Sequence, residues 1–185
     1  MTNEADTPRP PRLVPDRPFP PYAYLPGRNP HPVRDPRGHS YGKAPETPEP
    51  PDPRQWRACG DYLYGIDLFN NGYYWEAHEA WEGLWNACGR QGSAAAFFQG
   101  LIALAAAGLK VRVGNVEGVK GHARRATELF DLAAPKRGSS GARNMGLDVL
   151  ALRRCASVVA ERPPAPRDNG GDGCAVVFDF VLQPK

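Results

Sequence analysis

From Pro53 onward the apolar positions recur at three- and four-residue steps, and that period predicts five helices. Pro53 and Arg54 open the first, with Trp56, Cys59, Leu63, Ile66 and Phe69 or Asn70 on one stripe. Asn70-Asn71-Gly72 ends it, because glycine takes the left-handed backbone position at a helix end. The second runs from about Tyr73 to Cys88, its stripe being Tyr74, Ala77, His78, Trp81, Leu84, Trp85 and Cys88. Gly89 to Gly92 breaks the pattern, and Ser93 has the side chain to cap the next helix. That third helix, Ala94 to Val113, is apolar nearly all round, which predicts the central helix of a bundle. Asn115 caps a fourth, about Val116 to Ala134, with Val119, Ala123, Ala126 and Phe130 inward, ended by Pro135 and Gly138. A fifth, about Ala142 to Ala160, carries Met145, Val149, Leu152, Ala156 and Val159.

The pattern predicts an all-α fold, a compact antiparallel bundle of about five helices built as two helical hairpins plus a C-terminal helix. Sixteen of the 21 prolines precede residue 54, so no regular element forms there. Residues 1–18 are charged and read as a disordered tail. Residues 19–53 hold Phe19, Tyr22, Tyr24, Leu25, Val33 and Tyr41, and read as a proline-rich extended arm packing on the body, with a stiff spacer from Glu46. The helical domain spans 54–162, and 163–185 is a C-terminal loop followed by a short extended segment, in which Val176, Phe178, Phe180 and Leu182 alternate. A weak internal repeat pairs Asn71 and His78 with Asn115 and His122 at an offset of 44 residues. Packing needs alone would produce the same match, so duplication stays open.

Composition narrows the class. In 185 residues, 23% charged and 41% hydrophobic positions suit a soluble chain with a core, and exclude collagen, coiled coil and full disorder. A net charge of +3 is too mild to imply nucleic acid. Cys59, Cys88, Cys155 and Cys174 are far apart, giving neither a zinc knuckle nor a redox dithiol. A polar start without an apolar run, no stretch of the roughly 20 apolar residues a membrane needs, and unpaired cysteines lead to a cytoplasmic expectation.

Chemistry concentrates on the second helix, which holds three of the four tryptophans, three glutamates and a histidine. At about 100° per residue from Tyr74, His78 falls near ~40°, Glu82 near ~80°, Trp75 near ~100°, Glu79 near ~140° and Glu76 near ~200°. His78 therefore stands at the edge of the buried face with Glu82 one turn on. An i, i+4 His/Glu pair can share a proton or give two ligands to one divalent metal. The string His78-Glu79-x-x-Glu82 lacks the second imidazole of the zinc-protease motif, so further ligands must come from elsewhere: His122, or His31, Asp35 and His39 on the arm. Gln99, a polar residue inside the third helix, is placed to hydrogen-bond a ligand or His78. Glu79 and Glu82 are the catalytic candidates; Trp75, Glu76, Gln99 and Asn71 are candidates for binding a ligand. The competing structural reading makes His78 a core-edge imidazole, the tryptophans core mass and the glutamates a solvated stripe. Lys110, Arg112, Lys120, Arg124 and Arg125 read as a solvated face pairing in part with those glutamates.

The stretch Leu68-Phe69-Asn70-Asn71-Gly72-Tyr73-Tyr74-Trp75-Glu76-Ala77-His78-Glu79-Ala80-Trp81-Glu82-Gly83-Leu84-Trp85 resembles the signature of the domain of unknown function 309 family. The resemblance continues through Phe98-Gln99-Gly100-Leu101-Ile102-Ala103-Leu104 and Gly114-Asn115, covering roughly Leu63 to Phe130. It implies a small multihelical, intracellular domain of bacterial type and supplies no established activity, substrate or cofactor. The family motif falls on Phe69, Asn70, Gly72, Glu76, His78, Glu79, Glu82, Trp85, Gln99 and Gly100. Family members often carry a histidine near the end of the third helix, where this chain has Lys110, which weakens a metal reading here.

Three functions remain. One is a metal- or small-ligand-binding protein, hydrolase-like in its minimal mechanism, with glutamate as base. Another is a non-enzymatic helical-hairpin module binding a peptide or a second copy. The third, a nucleic-acid accessory role, has the least support. Whether the chain is an enzyme stays open at this level.

Overall fold

The computed structural model describes residues 10–43, 48–134, 143–166 and 174–185. The first nine residues of the expected tail, the start of the spacer, the Pro135 and Gly138 stop and the beginning of the fifth helix at Ala142 lie outside the described residues.

Five helices form the body: α1 Gly60–Asn70, α2 Tyr74–Ala87, α3 Gly92–Arg112, α4 Val116–Ala133 and α5 Val149–Glu161. Each packs on the next in sequence, and the short links between α1, α2, α3 and α4 make these neighbours antiparallel. The fold is an all-α bundle, as the periodicity implies. Its centre is α3, covered by α2 and α4. By length and composition α3 would be apolar enough to cross a membrane, but 67% of that window is buried inside the protein, as befits a central helix. Trp81, Tyr62, Phe97, Phe98, Leu101, Leu104 and Phe130 fill the interior.

Glycine sets the helix spacing in two places. A Cβ on Gly65 would stand 2.3 Å from Trp81 Nε1, and one on Gly108 would stand 2.7 Å from Tyr74 Cδ1. Without those side chains α1 lies against the Trp81 indole and α3 against the Tyr74 ring.

The hairpin junctions explain the apparent repeat. After α1, Gly72 N–H bonds to Phe69 O and Tyr73 N–H to Leu68 O; after α3, Gly114 N–H bonds to Val111 O and Asn115 N–H to Lys110 O. Both are Schellman endings with glycine at positive φ, 83° and 71°. They superpose at a shift of 42 residues (Gly72 on Gly114), so the offset of 44 that pairs His78 with His122 is out of step with the helices. Asn71 is the C-cap of α1, whereas Asn115 is the N-cap of α4 and accepts from Gly118 N–H at 2.8 Å.

Several boundaries differ from the periodic reading. Trp56–Ala58 is a 3-10 turn, and the extended ψ of 88° at Cys59 delays α1 to Gly60. Ser93 is not the cap of α3; Gln91 holds that position without a side-chain bond. The stripe that places Met145 on the fifth helix belongs instead to a two-stranded hairpin, β1 Arg143–Asn144 and β2 Leu147–Asp148. Met145 and Gly146 both have positive φ there, as a primed two-residue turn requires, and Tyr62 Oη donates to Met145 O at 2.7 Å. Asp148 then caps α5, accepting from Ala151 N–H.

The C-terminal segment 174–185 is extended but carries no strand among its residues. Asn70 clamps Leu182 through both amide atoms, accepting at 2.8 Å and donating at 2.9 Å. Val177 N–H bonds to Tyr74 Oη, and Phe178 stacks on Phe69. At the other end, Leu13 and Val14 N–H groups bond to Asp67 on α1, so the seated arm includes residues from 10–18 that the sequence assigns to a loose tail.

Gly65→Ala tests the close approach of α1 to Trp81. Overpacking at such a site costs roughly 1–3 kcal/mol. Urea denaturation should show a loss in that range, and an unchanged midpoint would mean that the indole has room to move.

Candidate functional site

Helix α2 presents two chemically different faces. His78, Glu79 and Glu82 lie on the more open one, each offering a ligand atom, and those atoms all fall within 4.8 Å of one another. His78 Nε2 is 3.6 Å from Glu82 Oε2, and its side chain is one-third exposed, at 33%. The spacing brings together the three residues expected to meet, and does so at the bundle's surface.

The electrostatics follow from that position. Burial lowers the His78 pKa, Glu82 pulls it back up, and the nearby charge of His122 lowers it further. His122 is itself lowered by burial and then by Lys110. His122 thus stands beside the cluster across from α2, outside the set of three. Burial, with the negative charges of Glu82 and Glu76, pushes the Glu79 carboxyl up to about 7.

The remaining candidates are placed elsewhere. Gln99 is half-buried on α3, and no hydrogen bond joins it to His78 among the described residues. Asn71 is buried at the end of α1, its amide donating to Asp67 O at 2.8 Å. Trp75 takes Tyr24 and His31 of the arm edge-on, with centroids 5.4 and 5.6 Å away. His31 Nδ1 accepts the Val33 and Arg34 N–H groups and shapes a turn. Asp35 is held by Arg37, whose side chain and backbone N–H keep its carboxyl down at about 2. The arm does reach α2, but at Glu76: Glu76 Oε1 accepts Tyr24 N–H at 2.8 Å and lies 3.4 Å from His39 Nε2. His39 and Glu76 side chains are only 9% and 5% exposed.

The basic residues differ from the expected face. Lys120 pairs with Glu117 and Arg125 with Glu128, both within α4 and not with the glutamates of α2. Arg112 is buried, not solvated. The periodic reading also misses Asp67, buried at 3% exposure under the arm, because its partners Leu13 and Val14 are more than fifty positions away.

Residues 62–121 match the family model described as Domain of unknown function (DUF309). The match takes in most of α1, all of α2 and α3, and the first part of α4, so the three clustered residues fall inside it. No curated protein matches the chain.

The Glu79 carboxyl binds a proton more tightly in the folded protein than in the unfolded chain. Its contribution to stability is therefore present below the unfolded value of 4.5 and is lost as the pH rises through about 7. Glu79→Gln should raise the urea midpoint over wild type at about pH 8, with the advantage shrinking by about pH 5. An advantage of equal size at both pH values would show that the carboxylate charge is not the cause.

Proposed function

We propose that this chain is a divalent-cation-binding helical protein whose site is the surface cluster of α2. The observation that carries the reading is the approach of the His78, Glu79 and Glu82 ligand atoms to within 4.8 Å of one another. One imidazole with carboxylates is a donor set suited to zinc, manganese or iron. His78 and Glu82 are the ligands in this reading, with remaining positions left to water or a small molecule. Glu79, between those two on the same helix, is the carboxylate suited to take a proton from water beside the cation, which is the minimal hydrolase-like chemistry. Lys110 and His122 at the border favour a small ligand with an anionic group.

Titration of the metal-stripped protein with Mn2+ or Zn2+ should show saturable binding. His78→Ala, folded by circular dichroism, should lose it. Glu82→Gln should weaken it by at least about tenfold, the scale found even for groups one step removed from a metal. His31→Ala should bind like wild type. Absence of saturable binding in the wild type refutes the reading.

The reading of the α1–α2 hairpin as an interaction module also has a specific support, namely the N-terminal arm already seated on it.

A further inference from the structure

The segment held on α1 and α2 is read mainly through its backbone. Asp67 accepts two consecutive N–H groups, from Leu13 at 2.8 Å and Val14 at 2.9 Å. Glu76 accepts a third, from Tyr24 at 2.8 Å. Tyr64 Oη donates to Pro18 O at 2.8 Å. Aromatic contacts fill the intervals, with Phe19 stacked on Tyr73 and Tyr24 against Trp75. Charges are complementary: Arg17 meets Asp61 at 2.7 Å, Arg12 lies 3.5 Å from Asp67, and His39 faces Glu76. Buried carboxylates that accept main-chain N–H groups recognise the backbone of the segment, and two consecutive N–H groups meet one carboxylate because residues 13–17 form a turn.

Two details indicate that the arm is a separable occupant. The body residues that hold it, Tyr64, Asp67, Tyr73, Trp75 and Glu76, lie inside the family match at 62–121, whereas the arm lies outside it. The stretch from Tyr22 to Tyr41 also closes on itself: Tyr22 Oη bonds to Pro30 O, Asn29 accepts Leu25 N–H, and Ser40 N–H bonds to Pro32 O. It can therefore leave the body as a unit. The fit in place is also incomplete. Glu76 Oε2 is buried at this interface without a hydrogen-bond partner, and Arg12 Nε has only the ion pair to Asp67 Oδ2 at 3.5 Å.

We propose that the α1–α2 face is a recognition groove for a turn-rich, proline-rich segment, and that the arm of a second copy of this chain is its partner, so that two copies exchange arms. The proposal rests on the interaction-module reading and names the partner. Exchange keeps each arm-to-body bond while joining two chains. Held in cis, the arm competes at an effective concentration on the order of millimolar, so exchange becomes visible as the chain concentration approaches that level.

The test uses the full chain. Leu13→Pro with Tyr24→Pro removes two of the donated N–H groups from the arm and leaves the helices untouched. In sedimentation velocity, wild type should pass from monomer to dimer as its concentration rises toward about 1 mM. The double variant should remain monomeric, and excess peptide spanning residues 10–41 should return the wild type to monomer. The labelled peptide should bind the double variant at least about tenfold more tightly than wild type, whose groove is filled in cis. A peptide that fails to bind the folded double variant overturns the module reading, and the proposal with it. Peptide binding with a wild type that stays monomeric overturns the exchange alone, as does a dimer that persists in the double variant. Should the double variant lose helical content, Tyr24→Pro by itself replaces it under the same criteria.

Discussion

A helix that is apolar on every side has to be covered on every side, and α3 imposes that condition on the rest of the molecule. Ala95, Phe97, Phe98, Leu101, Leu104, Ala105 and Ala107 are all buried. Leaving them in water would cost roughly 25 cal/mol for each Å² of apolar surface exposed. Helices α2 and α4 flank α3, and they can do so only by turning their alanines, leucines and aromatics inward. Close approach then decides the details. Gly108 accepts the Tyr74 ring and Gly100 the Phe130 ring, each at distances no side chain would permit.

That arrangement fixes what α2 has left to offer. With Tyr74, Ala77, Trp81 and Leu84 committed to the core, its polar residues are divided between two outer surfaces. Glu76 faces the arm and is buried by it, where it works as an acceptor for backbone N–H. Glu79 and Glu82 stay at the open side with His78, and burial together with the Glu82 charge raises the Glu79 carboxyl. Glutamates three residues apart on one helix thus have different environments and different chemistry, because neighbouring positions on a helix surface face different partners. The arm gives each buried carboxylate at least one N–H partner, since a carboxylate with none at 3% or 6% exposure would be too costly to keep.

The helices of the body, their stripes and the cluster on α2 were legible in the amino-acid order, because helical period and an i, i+4 pair are local properties. The inward residues Val119, Ala123, Ala126 and Phe130 of α4 and Leu152, Ala156 and Val159 of α5 follow from period alone. Where a local pattern was ambiguous, long-range packing chose. Met145 and Val149 have helical spacing, but the Met145-Gly146 turn is held from Tyr62, 83 positions away, and a hairpin results. Likewise His31 and His39 looked like further ligands for a metal held by His78. The path of the arm sends one to Trp75 and the other to Glu76. Asp67 and Asn70 have no local mark of importance, since their partners are Leu13, Val14 and Leu182. The sequence by itself therefore determined the five helices of the body and which side of each is apolar. Only the tertiary structure decided which polar groups meet, because those meetings join positions that no periodicity relates.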